Sequence, residues 1–311
     1  MEERTVVLLG GESSEREISI QSGNNIADAL RSAGVKVDTF DWHPSKMQEF
    51  LAAGYRRVFI ALHGGSGEDG TVQAMLTLAG IPFTGVRMRT AAVCMDKMLS
   101  KVIASAAGVA VPKCLTLSAR DAKKLLASDD ADWEKYAREL GLPLIVKPAG
   151  NGSSVGVSLV EDASRIADAV RAACISDDDT VMFEQYVSGH ELTVAMLNGR
   201  ALGVCRIIPK NKFYDYDAKY NRDDTEYLTP SGLGADFDER LCRFAERAAA
   251  ALDCTSGVVR IDCLADRDLN PYFLEVNTVP GMTSHSLVPK IAAQAGYDFP
   301  TICRMILDMA H

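Results

Sequence analysis

Four polar side chains in a predicted β-hairpin, near the C-terminal end of the sequence, are the residues most suited to chemistry. Arg260 and Asp262 stand two positions apart in one apolar strand, and Glu275 and Asn277 stand two apart in the next. Because side chains alternate between the two faces of a strand, each pair points to one face. Two carboxylates and an amide oxygen suit Mg²⁺, which commonly bridges protein carboxylates and nucleotide phosphates. An ordinary hairpin with a solvated outer face is the competing interpretation, because short motifs produce false matches.

A glycine-rich stretch supplies a second chemical signal. A predicted strand at 143–148 carries Lys147 and leads into residues 150–156, which include three glycines, Ser153 and Ser154. The backbone N–H groups of such a loop can surround phosphate oxygens. The residue order is not that of a P-loop, and a flexible surface loop is the alternative if the stretch is taken alone. The lysine at its base favours phosphate binding.

Three segments are predicted to position these residues: 1–93, 94–184 and 185–311. The first alternates strand and helix patterns, which predicts a parallel sheet with helices on its faces. Its predicted strands are 5–9, 35–40 and 57–62, and its predicted helices are 15–33 and 69–79. Ligands of such sheets bind beyond the carboxyl ends of the strands. The loops at 10–15 and 63–70 occupy that edge.

Each of these two loops contains one polar residue of interest, Glu15 in the first and His63 in the second. From the residues alone, Glu15 is better explained as a first-turn acid favoured by the helix dipole, and His63 as a turn histidine. Gly10 and Gly11 do not form the GxGxxG pattern, so a dinucleotide site is disfavoured.

The other two segments add a candidate nucleotide contact and a long polar stretch. A predicted strand at 180–187 runs into a hinge, where Glu184 is available to an adenine or a ribose, and a plain linker is the alternative. Residues 209–232 are predicted to form one long loop that is ordered against a ligand, since such loops in compact domains are usually functional or disordered. Further elements are a strand at 190–196 and helices at about 236–251 and 301–309.

Composition limits the classes of protein that the chain can belong to. Its 311 residues, 47% hydrophobic and 24% charged, fit a soluble globular protein of two or three domains. A net charge of −9 argues against nucleic acid or a membrane surface as the main partner. No apolar run reaches the ~18 residues of a membrane span, and the start of the sequence has no signal-peptide pattern. Eight cysteines without a CxxC pair predict free thiols in a reducing cytoplasm.

Taken together, the motifs resemble the D-alanine–D-alanine ligase family of the ATP-grasp superfamily. The blocks that carry the resemblance are GGESSEREIS (10–19), ALHGGSGEDGTVQ (61–73), MDK (95–97), IVKPAGNGSSVG (145–156), FEQYVSGHELTV (183–194), FYDYDAKY (213–220), GVVRIDC (257–263) and LEVNTVPGMTSHS (274–286). Each block is weak alone, and the ordered set is highly specific. The resemblance implies a mixed α/β (α+β) ATP-grasp fold, with an N-terminal parallel-sheet domain and two domains that clasp ATP.

The resemblance also implies an activity: ATP-dependent joining of two D-alanine molecules through a D-alanyl phosphate, for peptidoglycan precursor synthesis. It implies ATP and two Mg²⁺ ions, with Mn²⁺ able to substitute, and a cytoplasmic homodimer without nucleic-acid or membrane partners. A ligase that uses D-lactate or D-serine as second substrate is the alternative. A non-catalytic nucleotide-binding relative is less favoured, because every charged motif position holds a competent residue.

The implied nucleotide and metal contacts form one group. Lys97 and Lys147 would bind the phosphates, and Ser153 and Ser154 would belong to the glycine-rich loop over them. Glu184, the backbone of Val187 and Glu191 would contact the adenine and the ribose. The metal ligands would be Asp262, Glu275 and Asn277. The sequence departs from many relatives at Val279, where they have serine, and from some at Gly150 and Asn151, which bears on fine kinetic detail and not on the chemistry.

The implied substrate contacts form the other group. Glu15 would anchor the ammonium of the first D-alanine, and His63 would lie near its carboxylate. Lys219 and Tyr220 would close over the site. Arg260 and the Gly281 amide would form an oxyanion hole. Ser286 and the Leu287 amide would hold the second carboxylate.

Overall fold

The residues that the structure describes form three β-sheets with helices packed on them. A computed structural model describes residues 4–128, 130–150, 155–175, 180–209 and 225–311. Asn151, Ser153, Ser154, Lys219 and Tyr220 lie outside the described residues, so their predicted roles remain predictions.

The first sheet is parallel, with strand order β2-β1-β3, as the alternating pattern predicted. Its strands are β1 (Thr5–Gly10), β2 (Val37–Trp42) and β3 (Arg57–Ile60), and its helices are α1 (Arg16–Ser32), α2 (Met47–Ala52) and α3 (Thr71–Leu78). All six residues of β1 are buried, because helices cover both faces of a central parallel strand. The loops after β1 and β3 therefore lie at the carboxyl edge of this sheet.

The second sheet is antiparallel, with strand order β4-β7-β5-β6. Its strands are β4 (Cys114–Leu117), β5 (Leu144–Pro148), β6 (Ser158–Val160) and β7 (Val181–Gln185). The helices of this part of the chain are α4 (Met88–Met95), α5 (Lys97–Ala106), α6 (Ala119–Leu126), α7 (Glu134–Leu140) and α8 (Ile166–Ala173). Asp96 begins α5 by accepting a 2.9 Å hydrogen bond from the Leu99 N–H, a standard N-cap.

The third sheet is also antiparallel, with strand order β10-β9-β8-β11-β12. Its strands are β8 (Gly189–Leu197), β9 (Arg200–Ile208), β10 (Glu226–Leu228), β11 (Val258–Asp266) and β12 (Pro271–Asn277). The helices that follow or separate them are α9 (Ala235–Ala251), α10 (Leu287–Gln294) and α11 (Phe299–Asp308). Short 3₁₀ turns occur at Pro44–Lys46, Gly65–Gly67 and Ala163–Arg165.

The prediction of one uninterrupted loop at 209–232 is wrong for its C-terminal part. Glu226–Leu228 forms β10, which pairs antiparallel with β9. The strand is only three residues long, and the free edge of β9 supplies its hydrogen-bond partners, so local composition did not reveal it.

One hydrophobic cluster joins the first sheet to the last two helices. Ile26 and Leu30 of α1 pack with Ile302 and Ile306 of α11 in this cluster, and residues of β8 and β9 complete it. The first sheet is therefore covered on one side by chain that comes from the third segment. Among the described residues, no helix is both long and apolar enough to cross a bilayer.

Candidate active site

A cavity of about 1050 Å³ is lined by residues of the second and third sheets and by residues of α1 and of the loops beside the first sheet. Every predicted site residue that the structure describes is part of its wall: Glu15, His63, Lys97, Lys147, Glu184, Val187, Glu191, Arg260, Asp262, Glu275, Asn277, Gly281, Ser286 and Leu287. Residues far apart in sequence thus meet around one space. Their individual roles remain predictions.

The β11–β12 hairpin presents its four polar residues to this cavity. Arg260 lies opposite Asn277 in the strand register, and Asp262 lies opposite Glu275, so all four share one face of the sheet. A bulge follows Asp262, which shifts the register of the rest of β11. The face is a wall of the cavity rather than an ordinary solvated hairpin surface, and only 9% of Asp262 is exposed.

Basic side chains neutralise both carboxylates of the hairpin. Arg260 donates two hydrogen bonds of 2.8 Å, one to each oxygen of Asp262, the strong bidentate geometry of a guanidinium and a carboxylate. Thr193 on β8 donates a third, of 2.6 Å, to Asp262. Lys97, at the start of α5, lies with its Nζ 3.1 Å from an oxygen of Glu275. Each carboxylate therefore has a basic side chain beside it at the cavity surface.

Asn277 has a buried side-chain oxygen that accepts no hydrogen bond from any described residue. Buried polar atoms of native proteins nearly always have a partner, so each exception calls for an explanation. This oxygen lies on the same face as two carboxylates, and a cation at that face would be a suitable partner.

The second sheet and helix α5 together contribute a buried cluster of charges that we call the lysine–glutamate cluster: Lys101, Lys147 and Glu184. The Nζ of Lys147 is 2.8 Å from one oxygen of Glu184, and the Nζ of Lys101 is 2.8 Å from the other. Lys101 also donates a 3.0 Å hydrogen bond to the carbonyl of Phe273 on β12. The three charged residues are 5% exposed or less.

The electrostatics of the cluster follow from burial and mutual attraction. Burial alone would raise the pKa of Glu184, but the charges of Lys101 and Lys147 and their hydrogen bonds lower that pKa to about 2. Burial alone would lower the pKa of Lys147, but Glu184 outweighs it and the pKa is raised. Burial lowers the pKa of Lys101, and attraction to Glu184 opposes this only in part. Glu184 is therefore a carboxylate at any ordinary pH.

Sequence reasoning missed Lys101. It lies four residues after Lys97 in α5, a spacing that places two side chains on one face of a helix. This spacing could have identified Lys101 as a neighbour of Lys97. It is weak evidence, because a second lysine on a helix face is usually exposed to solvent.

A hydrogen-bonded chain around His63 joins the first sheet to the loop after β12. One ring nitrogen of His63 is 2.8 Å from the carbonyl of Val279, and the other is 3.0 Å from the hydroxyl of Ser22. A carbonyl only accepts, so Nδ1 carries the proton and Nε2 accepts from Ser22. The Ser22 oxygen in turn accepts a 3.1 Å hydrogen bond from the N–H of Met282.

These contacts define the state of His63. Burial lowers its pKa, against the attraction of Glu15 and the hydrogen bond to Val279, so the ring is neutral. Both of its nitrogens are engaged by the protein. Its role is more specific than that of the simple turn histidine favoured by the residues alone.

Glu68 is a second residue that sequence reasoning missed, although it lies within the quoted block 61–73. It lines the cavity. Burial, together with the nearby charge of Glu15, raises the pKa of Glu68 to about 8. The side chain is therefore largely protonated at neutral pH and able to donate a hydrogen bond.

Gly281 and Ser286 form a tight turn before α10. A Cβ on Gly281 would lie 2.7 Å from the Oγ of Ser286, so a larger residue would displace that hydroxyl. Ser286 accepts a 2.9 Å hydrogen bond from the N–H of Thr283 and directly precedes α10. The first amides of α10, beginning with Leu287, have no partner within the helix and suit an anion.

Comparison with known proteins gives a consistent result. A family model described as D-ala D-ala ligase C-terminus matches residues 103–308, and one described as D-ala D-ala ligase N-terminus matches 38–86. The D-alanine–D-alanine ligase of Laribacter hongkongensis is 46% identical over 99% of this chain and 96% of its own. That of Nitrosospira multiformis is 43% identical over 99% of this chain and 97% of its own.

Solved structures agree with the sequence relatives. A D-alanine–D-alanine ligase from Bacillus anthracis complexed with ATP has a TM-score of 0.82 and 31% identity, covering 98% of this chain and 96% of that chain. The VanG D-Ala:D-Ser ligase from Enterococcus faecalis has a TM-score of 0.85 and 26% identity, covering 99% of both chains.

Proposed function

We propose that this chain, which belongs to the D-alanine–D-alanine ligase family, joins two D-alanine molecules into D-alanyl-D-alanine while ATP is converted to ADP and phosphate. The observation that carries the proposal is the single cavity whose wall contains all fourteen predicted site residues within the described ranges. The cavity combines cationic groups for phosphates, oxygen ligands for a cation and hydrogen-bond donors for a reacting carbonyl.

ATP would occupy the side of the cavity formed by the second sheet. Lys97 and Lys147 would contact its phosphates, and Ser153 and Ser154 would belong to the loop above them. Glu184, the backbone of Val187 and Glu191 would hold the adenine and the ribose. The charges of both lysines in the cavity wall support this orientation, because the triphosphate carries the negative charge of the nucleotide.

Mg²⁺ would be held by the hairpin, through Asp262, Glu275 and Asn277. The unpartnered buried oxygen of Asn277 and the two carboxylates beside it are the oxygen ligands that this ion prefers. The described residues contain no group of three or more His, Cys, Asp or Glu side chains suited to a metal, so the proposed site depends on the Asn277 oxygen as its third ligand. When bound, the ions, or Mn²⁺ in their place, neutralise phosphate charge.

The first chemical step would be attack by the carboxylate of one D-alanine on the γ-phosphorus of ATP. A phosphorus–oxygen bond to ADP breaks as the new one forms, and the product is an acyl phosphate. Such a transfer depends on alignment and on charge neutralisation. Glu15 would hold the ammonium group, Lys97 and Lys147 would neutralise the phosphates, and His63 would lie beside the carboxylate as a neutral wall residue.

The second step would be attack by the amine of the other D-alanine on the acyl carbon. The amine loses a proton, the carbon–oxygen bond to phosphate breaks, and an oxyanion develops before phosphate leaves. Arg260 and the Gly281 amide would stabilise this oxyanion, a contribution that depends on donors already in position. Ser286 and the Leu287 amide would hold the second carboxylate, and Lys219 and Tyr220 would exclude water.

The proposal extends to the organisation of the protein. Each sheet falls almost wholly within one of the segments 1–93, 94–184 and 185–311, which supports three domains with these boundaries. We further propose a cytoplasmic homodimer, as expected from the family.

A coupled assay of ADP release tests the function. Turnover should require ATP, Mg²⁺ and D-alanine together, and the dipeptide should appear in amounts equal to ADP. Equal turnover with L-alanine, or nucleotide binding without turnover, would contradict the proposal. The likeness to a D-Ala:D-Ser ligase makes D-serine the second candidate, so D-serine and D-lactate should each be offered in competition with D-alanine. If the mixed product predominates, the second substrate is D-serine or D-lactate rather than D-alanine, and the two chemical steps stay as proposed.

A further inference from the structure

The lysine–glutamate cluster carries an excess of positive charge inside the protein. Lys101 and Lys147 contribute two ammonium groups, and Glu184 contributes one carboxylate. Each lysine has Glu184 as its partner, and Glu275 also attracts Lys147, so an anion that approaches the cluster would add to these charge contacts. Lys147 and Glu184 line the cavity, where an anion can arrive.

Lys101 differs from the other two members by its position. It is 2% exposed and is not part of the cavity wall, so it lies behind Lys147 and Glu184 as seen from the cavity. Its ammonium group contacts Glu184 of the second sheet and the Phe273 carbonyl of the third. Lys101 therefore joins α5, β7 and β12 at one point.

The two lysines use different oxygens of the same carboxylate. Lys147 contacts Oε1, and Lys101 contacts Oε2. Loss of the contact with Lys147 would consequently leave the contact with Lys101 intact. Each carboxylate oxygen also has more than one acceptor direction, so Glu184 can receive a ligand hydrogen bond while Lys101 remains in place.

We propose that Lys101 is a positioning residue for nucleotide binding, which holds Glu184 charged and oriented while the phosphates of ATP attract Lys147. The inference rests on the proposed function, because it assigns Lys147 to a phosphate. Without Lys101, any movement of Lys147 towards phosphate would strip a buried carboxylate of its counter-ion. Nucleotide binding would then be opposed by the loss of a buried ion pair, which is strongly unfavourable.

The test is a double-mutant cycle on Lys101 and Glu184, read out as the Kd of ATP by calorimetry in the full-length chain. Lys101→Met should weaken ATP binding by about tenfold or more, while the KM for D-alanine changes less than about twofold. If Lys101 acts through Glu184, the double variant Lys101→Met/Glu184→Gln should bind ATP as Glu184→Gln does.

A matched control is Lys113→Met. Lys113 is an exposed lysine that pairs with Glu139 at 2.7 Å and directly precedes β4 of the same sheet. This variant should keep the wild-type Kd for ATP. Thermal unfolding supplies a second readout: Lys101→Met keeps the Lys147–Glu184 ion pair and should unfold above Glu184→Gln, which leaves both lysines without that counter-ion.

Two results would overturn the inference. Losses in ATP affinity that multiply in the double variant would mean that Lys101 acts independently of Glu184. A Lys101→Met protein with a lowered Tm but unchanged ATP affinity would mean that the residue is only structural. The proposed function fails separately, if the wild-type chain neither binds ATP nor releases ADP with D-alanine.

Discussion

Glu184 and Glu68 are both glutamates in the wall of the same cavity, and their acidities differ by several pKa units. Glu184 lies on β7 between two ammonium groups, which lower its pKa to about 2 despite burial. Glu68 lies in the loop before α3, where burial and the charge of Glu15 raise its pKa to about 8. A backbone hydrogen bond from Gly64 and the positive charge of Arg260 both lower the pKa of Glu68, but by less than burial and Glu15 raise it.

In this cavity, the charges of neighbouring side chains rather than burial decide whether a carboxyl group is ionised. Burial disfavours ionisation of both side chains. Lys147 of β5 and Lys101 of α5 each bring an ammonium group to 2.8 Å from an oxygen of Glu184. The cavity therefore has one wall with a fixed carboxylate and another with a carboxylic acid that can exchange a proton near neutral pH.

The largest expected effect comes from removing the fixed charge. Glu184→Gln leaves Lys101 and Lys147 buried without a counter-ion, so the free energy of unfolding at pH 7 should fall by about 3–5 kcal/mol. Denaturant unfolding measures this change. Glu139→Gln, which removes an exposed ion pair with Lys113, is the control and should unfold as the wild type does. Equal losses of unfolding free energy in the two variants would mean that burial of the ion pair makes no difference to its contribution.

Arg260→Ala has the next largest expected effect, on the side of the cavity nearer Glu68. The guanidinium is committed to Asp262 through two hydrogen bonds and is proposed to stabilise the oxyanion. Turnover should fall ~10²-fold or more, the scale of losing one oxyanion donor, with little change in ATP affinity. Near-normal turnover with weakened ATP binding would identify Arg260 as a nucleotide contact instead.

Ser22→Ala tests a buried side chain that is polar but carries no charge. The change removes the acceptor of the Met282 N–H and the donor to His63, so about 1–3 kcal/mol of the free energy of unfolding should be lost. Turnover should fall while the KM for ATP stays constant, because the loop that holds Gly281 loses an anchor. Ser32→Ala, at the exposed end of the same helix, should change neither quantity.

Glu68→Gln should have the smallest effect, visible in the pH dependence of stability. A carboxyl whose pKa rises from 4.5 to about 8 on folding keeps its proton in the folded state and loses it in the unfolded state between those values. The free energy of unfolding of the wild type should therefore fall as pH rises from about 4.5 to 8. Glu68→Gln should lack this contribution, and Glu49→Gln, at an exposed position, should retain it. Parallel pH profiles for wild type and Glu68→Gln would contradict the high pKa.

Sequence patterns predicted those parts of the structure that depend on local periodicity. The parallel first sheet and the β11–β12 hairpin are of this kind, and the spacing of Arg260 and Asp262 placed them on one face. The missed features depend on partners distant in the chain. Ser22 meets Met282 across 260 positions, and Lys101 is unusual only because β7 brings Glu184 to it. Strand β10 depends likewise on the edge of β9.

The shared cluster of α1 and α11 has a consequence for how the protein is made. Ile26 and Leu30 are synthesised early, whereas Ile302 and Ile306, which cover them, leave the ribosome much later. Until then one apolar side of the first sheet is exposed on the growing chain, and closing so long a loop slows folding. Nascent chains paused before α11 should therefore bind chaperones that recognise exposed apolar surface, and release should follow the emergence of that helix.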